Sequence, residues 1–207
     1  MKSDNRWFEW ARELQFLSQS ALAYCKDVYD IERFERIREI SAEMTANLLD
    51  MPVEKARGLF CNETGYQTPK LDTRAAVVQD GRILLVQERD GSWALPGGWV
   101  DYDQSVRSNA AKEVYEEAGM VVDPIRLIAL MDHNRHHPVK AAHEICSAFV
   151  LCAYRSGEFK PNVETVSCGW FSADALPTPL ALGKTTRKQV LMCLEASADP
   201  AWEVLFD

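Results

Sequence analysis

The sequence predicts an α/β protein, a mixed β-sheet sandwiched by helices with a small all-helical unit in front of it. Three observations carry this. Apolar side chains over residues 1 to about 60 recur mostly at three- and four-residue spacing. From Asp72 the pattern changes to short apolar runs set apart by Gly and Pro. Two further helical segments, one rich in Glu and one near the end, lie among and after those runs.

The first helix is read from Trp7, Phe8, Trp10, Ala11, Leu14, Leu17 and Leu22. Asp30 is expected to cap a second, with Ile31, Phe34, Ile37, Ile40, Met44 and Leu48 on one side. Pro52 suits the first turn of a third, ending near Phe60. Such a unit has more apolar side chains than it can bury alone, so it should pack on the rest of the chain or on another copy. The aromatic stripe is read as core or dimer contact rather than a cofactor box. Residues 1–62 form this unit, 63–71 a linker without periodicity, and 72–207 the main domain.

Within the main domain, Thr73 to Gln79 and Arg82 to Gln87 flank Asp80-Gly81, a two-residue hairpin signal. Further strands are expected over Val121 to Met131, interrupted by Pro124, over Ile145 to Tyr154, and over Cys168 to Phe171. Thr185 to Glu195 is the closing helix.

Between the hairpin and the next strand stands Gly98-x5-Gln104-x7-Lys112-Glu113-Val114-x-Glu116-Glu117-x-Gly119-Met120. Ser105 is a good N-cap and Gly119 a good residue to end the helix. Ala110, Val114 and Ala118 make a narrow small-residue stripe that lets the helix lie close to a sheet. At about 100° per residue, Glu113, Glu116 and Glu117 fall within one broad sector of the helix. Carboxylates crowded in this way suit a hard cation such as Mg²⁺, which commonly bridges acidic side chains to phosphates. Leu95-Pro96-Gly97-Gly98-Trp99 supplies a loop with room for close backbone approach. A solvated acidic helix face is the bland alternative, disfavoured by the Gly-rich entry and the crowding.

This segment resembles the signature box of the Nudix hydrolases, G-x5-E-x7-R-E-U-x-E-E-x-G-U, with Gln104 in place of the first Glu and Lys112 in place of Arg. The helical front end, Asn62-Glu63-Thr64-Gly65-Tyr66-x-Thr68-Pro69-Lys70 and Trp93 to Trp99 are similar to a bacterial subgroup with an N-terminal helical domain. In that subgroup the first Glu is also replaced and Lys often takes the Arg position. The resemblance implies a Nudix-type α/β/α sandwich and metal-dependent cleavage of a nucleoside diphosphate linked to another moiety, such as ADP-ribose or CDP-choline, with release of a nucleoside monophosphate. It implies Mg²⁺ or Mn²⁺ held by Glu113, Glu116, Glu117 and the backbone carbonyl of Gly98. Glu117 and Glu116 are the expected catalytic groups. Glu164, in Pro161-Asn162-Val163-Glu164-Thr165, stands where the family often has a carboxylate near the metals or the water, and an exposed loop Glu is its other reading.

Arg74 and Arg89, on or beside the first hairpin, and Arg135 are candidates to meet phosphate or a head group, each also readable as a plain surface residue. Trp99 would stack on a base or fill core. His133-x-x-His136-His137 lacks the HExxH form and an adjacent Cys, so a polar substrate-facing loop is favoured over a zinc site. Because Gln104 and Lys112 reduce the usual charge set, a non-catalytic nucleotide sensor on the same fold is the alternative.

The 207 residues, 47% hydrophobic and 26% charged, describe an ordinary globular chain. A net charge of −8 disfavours extended nucleic acid and anionic membranes as partners, though not a short capped or triphosphate RNA end. No secretory signal or membrane span is read, and six cysteines without a C-x-x-C pair suit reduced thiols in the cytoplasm. The expected partners are a small nucleoside diphosphate derivative and a second copy, in a homodimer through the N-terminal helices.

Overall fold

The computed structural model describes residues 2–60 and 64–207. The chain divides into two units, Met1–Pro69 and Lys70–Asp207. The linker start expected at 62–63 lies outside the described residues.

The first unit holds α1 (Lys2–Tyr24), α2 (Val28–Leu48) and α3 (Val53–Phe60). Asp27, not Asp30, caps α2: its side chain accepts from the backbone N–H of Tyr29 and of Asp30. Asp30 falls inside the first turn, where its charge still favours the helix N-terminus. Small and polar side chains pack between α1 and α2. Ala11, Ser41, Ala42 and Thr45 are buried, and the Ser41 hydroxyl donates to the Ala11 carbonyl at 2.7 Å. The aromatic stripe is not core. Trp7 is 50% exposed and Trp10 39%, packed edge to face on each other at 5.1 Å.

The second unit is built on a seven-stranded mixed sheet. Its strands are β1 (Lys70–Gln79), β2 (Arg82–Glu88), β3 (Trp93–Ala94), β4 (Met120–Asp132), β5 (Ile145–Gly157), β6 (Thr165–Phe171) and β7 (Leu205–Phe206). Three helices accompany them: α4 (Val106–Ala118), the single turn α5 (His133–His136) and α6 (Arg187–Ala198). The order is β3-β2-β1-β5-β4-β7, with β6 on β2. β1 and β5 run parallel, and β4 is antiparallel to β5. Asp80 and Gly81, both at positive φ, close the β1–β2 hairpin as the sequence predicts.

The period of two along the strands divides the core. Ala75, Val77, Leu84 and Val86 face Ala110, Val114 and Ala118 of α4. Ala76, Ile83, Leu85 and Phe149 face Val190, Met192 and Cys193 of α6. These are the three layers of an α/β/α sandwich. Pro124 does not interrupt its strand. β4 runs through it with register shifts on both sides, and β7 covers β4 only at Ala129 and Leu130, so β4 is an edge strand at Pro124, where proline is tolerated. The two-residue β3 and β7 and the short α5 are too brief for any periodicity to announce them.

Candidate active site

β2 keeps register with β1 only beside the turn, at Val78–Ile83 and Gln79–Arg82, and then turns away. The vacated edge of β1 is taken by the Gly-rich loop. Ala75 N–H donates to the Pro96 carbonyl (2.8 Å), Thr73 N–H to Gly98 (2.9 Å), and Val100 N–H to Leu71 (3.0 Å). Gly97 is needed for this approach, and Gly98 leaves room for the Glu113 carboxylate. A Cβ on Gly97 would lie 1.9 Å from the Thr73 carbonyl oxygen, and one on Gly98 would lie 2.8 Å from a carboxylate oxygen of Glu113. The loop is thus wedged between β1 and α4.

Ser105 caps α4 in a reciprocal box with Ser108, and Gly119 ends it in the left-handed conformation at φ 68°. The buried stripe Ala110, Val114 and Ala118 fixes the helix on the sheet and turns Glu113 and Glu117 inward beside the loop. Glu117 accepts a hydrogen bond from the Gly97 N–H at 2.9 Å. The carbonyl of Gly97 accepts from Arg74 Nη1 at 3.0 Å, while Arg74 Nε and Nη2 hold one oxygen of Asp72 at 2.9 and 2.7 Å. Burial pushes the Glu117 carboxyl up to about 7, against the opposing pull of the Gly97 N–H and of Arg74. Burial raises Glu113 as well, opposed by Lys112. Lys112 is the hub on the other side: its ammonium reaches Glu116 at 2.8 Å, Asp101 at 3.2 Å and Glu113 at 3.4 Å. Its pKa is raised, foremost by the bond to Glu116.

These groups line a cleft of about 450 Å³. It brings together Gly98, Glu113, Glu116, Glu117, Glu164, Arg74 and Trp99. Trp99 is 49% exposed there, so it is a wall of the cleft and not core filling. Arg89 and Arg135 are not in the lining. Arg89 donates to the carbonyls of Val163 (2.5 Å) and Asn162 (3.2 Å). Arg135 is exposed and pairs with Asp132, the cap of its own helical turn, at 3.5 Å.

Among the described residues, no three His, Cys, Asp or Glu side chains converge on a point as they stand. For the glutamates the reason is visible, because Glu116 turns to Lys112 and Glu117 to Gly97. Of the histidines in the expected substrate-facing loop, His133 is in the cleft lining, and it and His137 are packed inside the fold. Both are buried and their rings stack at 3.9 Å and 7°. His137 Nδ1 lies 2.9 Å from the Leu182 carbonyl and Nε2 2.8 Å from the Gln189 amide, which sets a neutral ring protonated on Nδ1. Burial lowers the pKa of both rings, that of His133 to about 4.

Sequence reading missed Asp72, Asp101, Asn162 and Lys184. Only Asp72 left a signal: with Arg74 it puts opposite charges two residues apart, on one face of an otherwise apolar strand. The others are assembled from loops by the fold.

Fold and cleft together define an α/β/α domain with an acidic cleft, preceded in the chain by a helical unit. The chain belongs to the Nudix family: residues 69–192 match the NUDIX domain model. Residues 5–60 match a model described as the UDP-X-like, N-terminal oligomerisation domain of Nudix proteins. YjhB of Bacillus subtilis (strain 168), provisionally named an ADP-ribose pyrophosphatase, is 36% identical over the full length of both chains. A crystal structure of an ADP-ribose pyrophosphatase from Streptococcus suis is 54% identical, with a TM-score of 0.63 over 68% of this chain and 100% of that one. A crystal structure of a UDP-X diphosphatase covers 98% of both chains at 28% identity and a TM-score of 0.63. The chain is a Nudix pyrophosphohydrolase. Among the described residues, no helix is long and apolar enough to cross a membrane.

Proposed function

We propose that this enzyme cleaves the pyrophosphate bond of a nucleoside diphosphate linked to another moiety and releases a nucleoside monophosphate. ADP-ribose is the first candidate, since two relatives carry that name; UDP-linked compounds and CDP-choline stand beside it. The observation that carries the reading is the buried Glu113–Glu117 pair, set against Gly97 and Gly98 on one wall of the cleft.

The donor set fits Mg²⁺ or Mn²⁺. Two carboxyls that burial drives toward their neutral forms gain most from an added cation, and the cleft lining holds six carboxylates against the three cations Arg74, Lys112 and Lys184. Glu113, Glu116, Glu117 and the Gly98 carbonyl, which keeps a lone pair beyond its bond from Thr73, would hold the ion. When bound, it neutralises diphosphate charge and makes water more acidic.

The chain's own groups supply the rest. Arg74 uses three of its five N–H groups on Asp72 and Gly97, leaving two for a phosphate oxygen. Glu164, on the cleft rim, accepts a proton from the attacking water. The water oxygen bonds to phosphorus, the bridging P–O bond breaks, and the bridge oxygen leaves with its electron pair on the departing phosphate. Trp99 offers an aromatic face to a base. We also place the exposed Trp7 and Trp10 of α1 at a homodimer contact, in keeping with the description of the matching N-terminal domain.

The test is a panel of ADP-ribose, CDP-choline and UDP-linked substrates with and without Mg²⁺ or Mn²⁺, read by chromatography of the nucleoside monophosphate. Release with the metal and none after chelation is expected. Binding across the panel without cleavage would instead favour a nucleotide sensor.

A further inference from the structure

The loop that carries Glu164 is fastened to the C-terminal end of α4 by one side chain. The Asn162 amide nitrogen lies 3.0 Å from the Glu116 carbonyl, 3.2 Å from the Glu117 carbonyl and 2.7 Å from the Thr165 hydroxyl. Thr165 in turn donates to the Glu117 carbonyl at 2.6 Å. The Asn162 oxygen accepts from the backbone N–H of Glu164 (2.9 Å) and of Thr165 (2.8 Å). These contacts engage both ends of the amide. A helix leaves its last carbonyls without partners, so this end of α4 is a natural anchor for a donor from elsewhere.

What is anchored matters. The two carbonyls belong to Glu116 and Glu117, and the amide held on the other side of Asn162 is that of Glu164. One side chain therefore sets the spacing between the box helix and a loop more than forty residues on. Arg89 closes the loop from the end of β2 through the carbonyls of Asn162 and Val163. The second half of this clamp is the residue that the sequence offers as a phosphate ligand.

We propose that Asn162, backed by Arg89, is a positioning residue that fixes the Glu164 carboxylate relative to Glu116 and Glu117 for proton removal from the attacking water. This rests on Glu164 acting as proposed above. Glu164 is exposed and the Asn162 bonds tether only its backbone, so loosening the tether lets the carboxylate leave the cleft without altering the substrate pocket.

The experiment is a double-mutant cycle on the full chain with ADP-ribose and Mg²⁺. Asn162→Ala and Asn162→Asp both remove the donor to α4, while the Asp variant keeps an acceptor for the Glu164 and Thr165 amides. Each is expected to lower kcat about 10- to 100-fold with KM changed less than about threefold, and to lower it little further in a Glu164→Gln background. Arg89→Ala, at an exposed site, should lower kcat in the same direction by a smaller factor. It serves as the reading if the Asn162 variants melt early. Faster hydrogen exchange at the Glu164 and Thr165 amides in Asn162→Ala would report the freed loop.

Full additivity with Glu164→Gln overturns the inference, as does an Asn162→Asp enzyme with normal kcat, which would assign the effect to the local turn alone. A Glu164→Gln enzyme with normal turnover overturns the role of Glu164 itself. Loss in Glu164→Gln with none in the Asn162 or Arg89 variants overturns only the positioning.

Discussion

Gly97 and Glu117 are joined across twenty residues by a single N–H···O bond of 2.9 Å. Through it the Gly-rich loop fixes the direction of a carboxylate that burial would otherwise leave adrift, and Arg74 holds Gly97 from its carbonyl side. Glutamine in place of Glu117 keeps an oxygen for the Gly97 N–H but cannot carry charge. Glu117→Gln should therefore fold normally by thermal melt and lose at least about 100-fold in metal-dependent release of nucleoside monophosphate. Near-normal turnover in that variant would remove Glu117 from the mechanism.

The two glycines of the loop should fail in different ways. At Gly97 an added Cβ meets backbone at 1.9 Å, which cannot yield without shifting β1. Gly97→Ala should cost about 1–3 kcal/mol or more of stability in a denaturant titration. At Gly98 the obstacle is the tip of Glu113 at 2.8 Å, which can swing away. Gly98→Ala should unfold within about 1 kcal/mol of the wild type yet lose most of its activity, because the carboxylate is displaced. Equal destabilisation of both variants would count against this view of the wedge.

The parts of the site legible in the sequence are those that local rules dictate. Ser105, the Ala110–Val114–Ala118 stripe and Gly119 fix where α4 starts, which face it buries and where it stops, so the helix pattern alone sets Glu113 and Glu117 on the border of the buried face. The three-layer fold follows from the apolar runs and the Asp80-Gly81 turn. Distant chain crossings are not legible. Arg89 reads as a phosphate ligand because nothing nearby in sequence reveals that its neighbours are the carbonyls of residues 162 and 163. Asp27 and Asp30 both satisfy the capping preference, and only the backbone decides between them. The buried histidine pair reads as a polar loop because burial of α5 depends on Leu182 and Gln189, some fifty positions away.

Those histidines make the acid side of the stability curve informative. Both are held neutral by burial, next to Asp72 and the Arg74 guanidinium, with His133 near 4 when folded and about 6.5 when unfolded. The folded state thus binds fewer protons in this interval, and stability rises with pH. Their contribution is fully present above about pH 6.5 and is lost as pH falls toward 4. Denaturant titrations at about pH 7.5 and about pH 5, on either side of the unfolded value, should show a smaller drop in a His133→Gln, His137→Gln double variant than in the wild type. An equal drop in both would assign the acid sensitivity elsewhere.

The N-terminal helices carry the last prediction. Their interior is made of small residues and polar side chains, Gln15 and Gln19 among them, whereas Trp7, Trp10, Phe16 and Leu17 remain between 39% and 53% exposed. Exposed aromatic and aliphatic area of that extent on one helix is costly in water and is the kind of surface that association covers. Sedimentation at micromolar concentration should give a single species at twice the 23.4 kDa of the chain. Trp7→Glu with Leu17→Glu should shift it toward the monomer while leaving the thermal melt of the Lys70–Asp207 unit in place, since neither residue lies in its two cores. A wild-type monomer under those conditions would leave the aromatic stripe without the partner proposed for it.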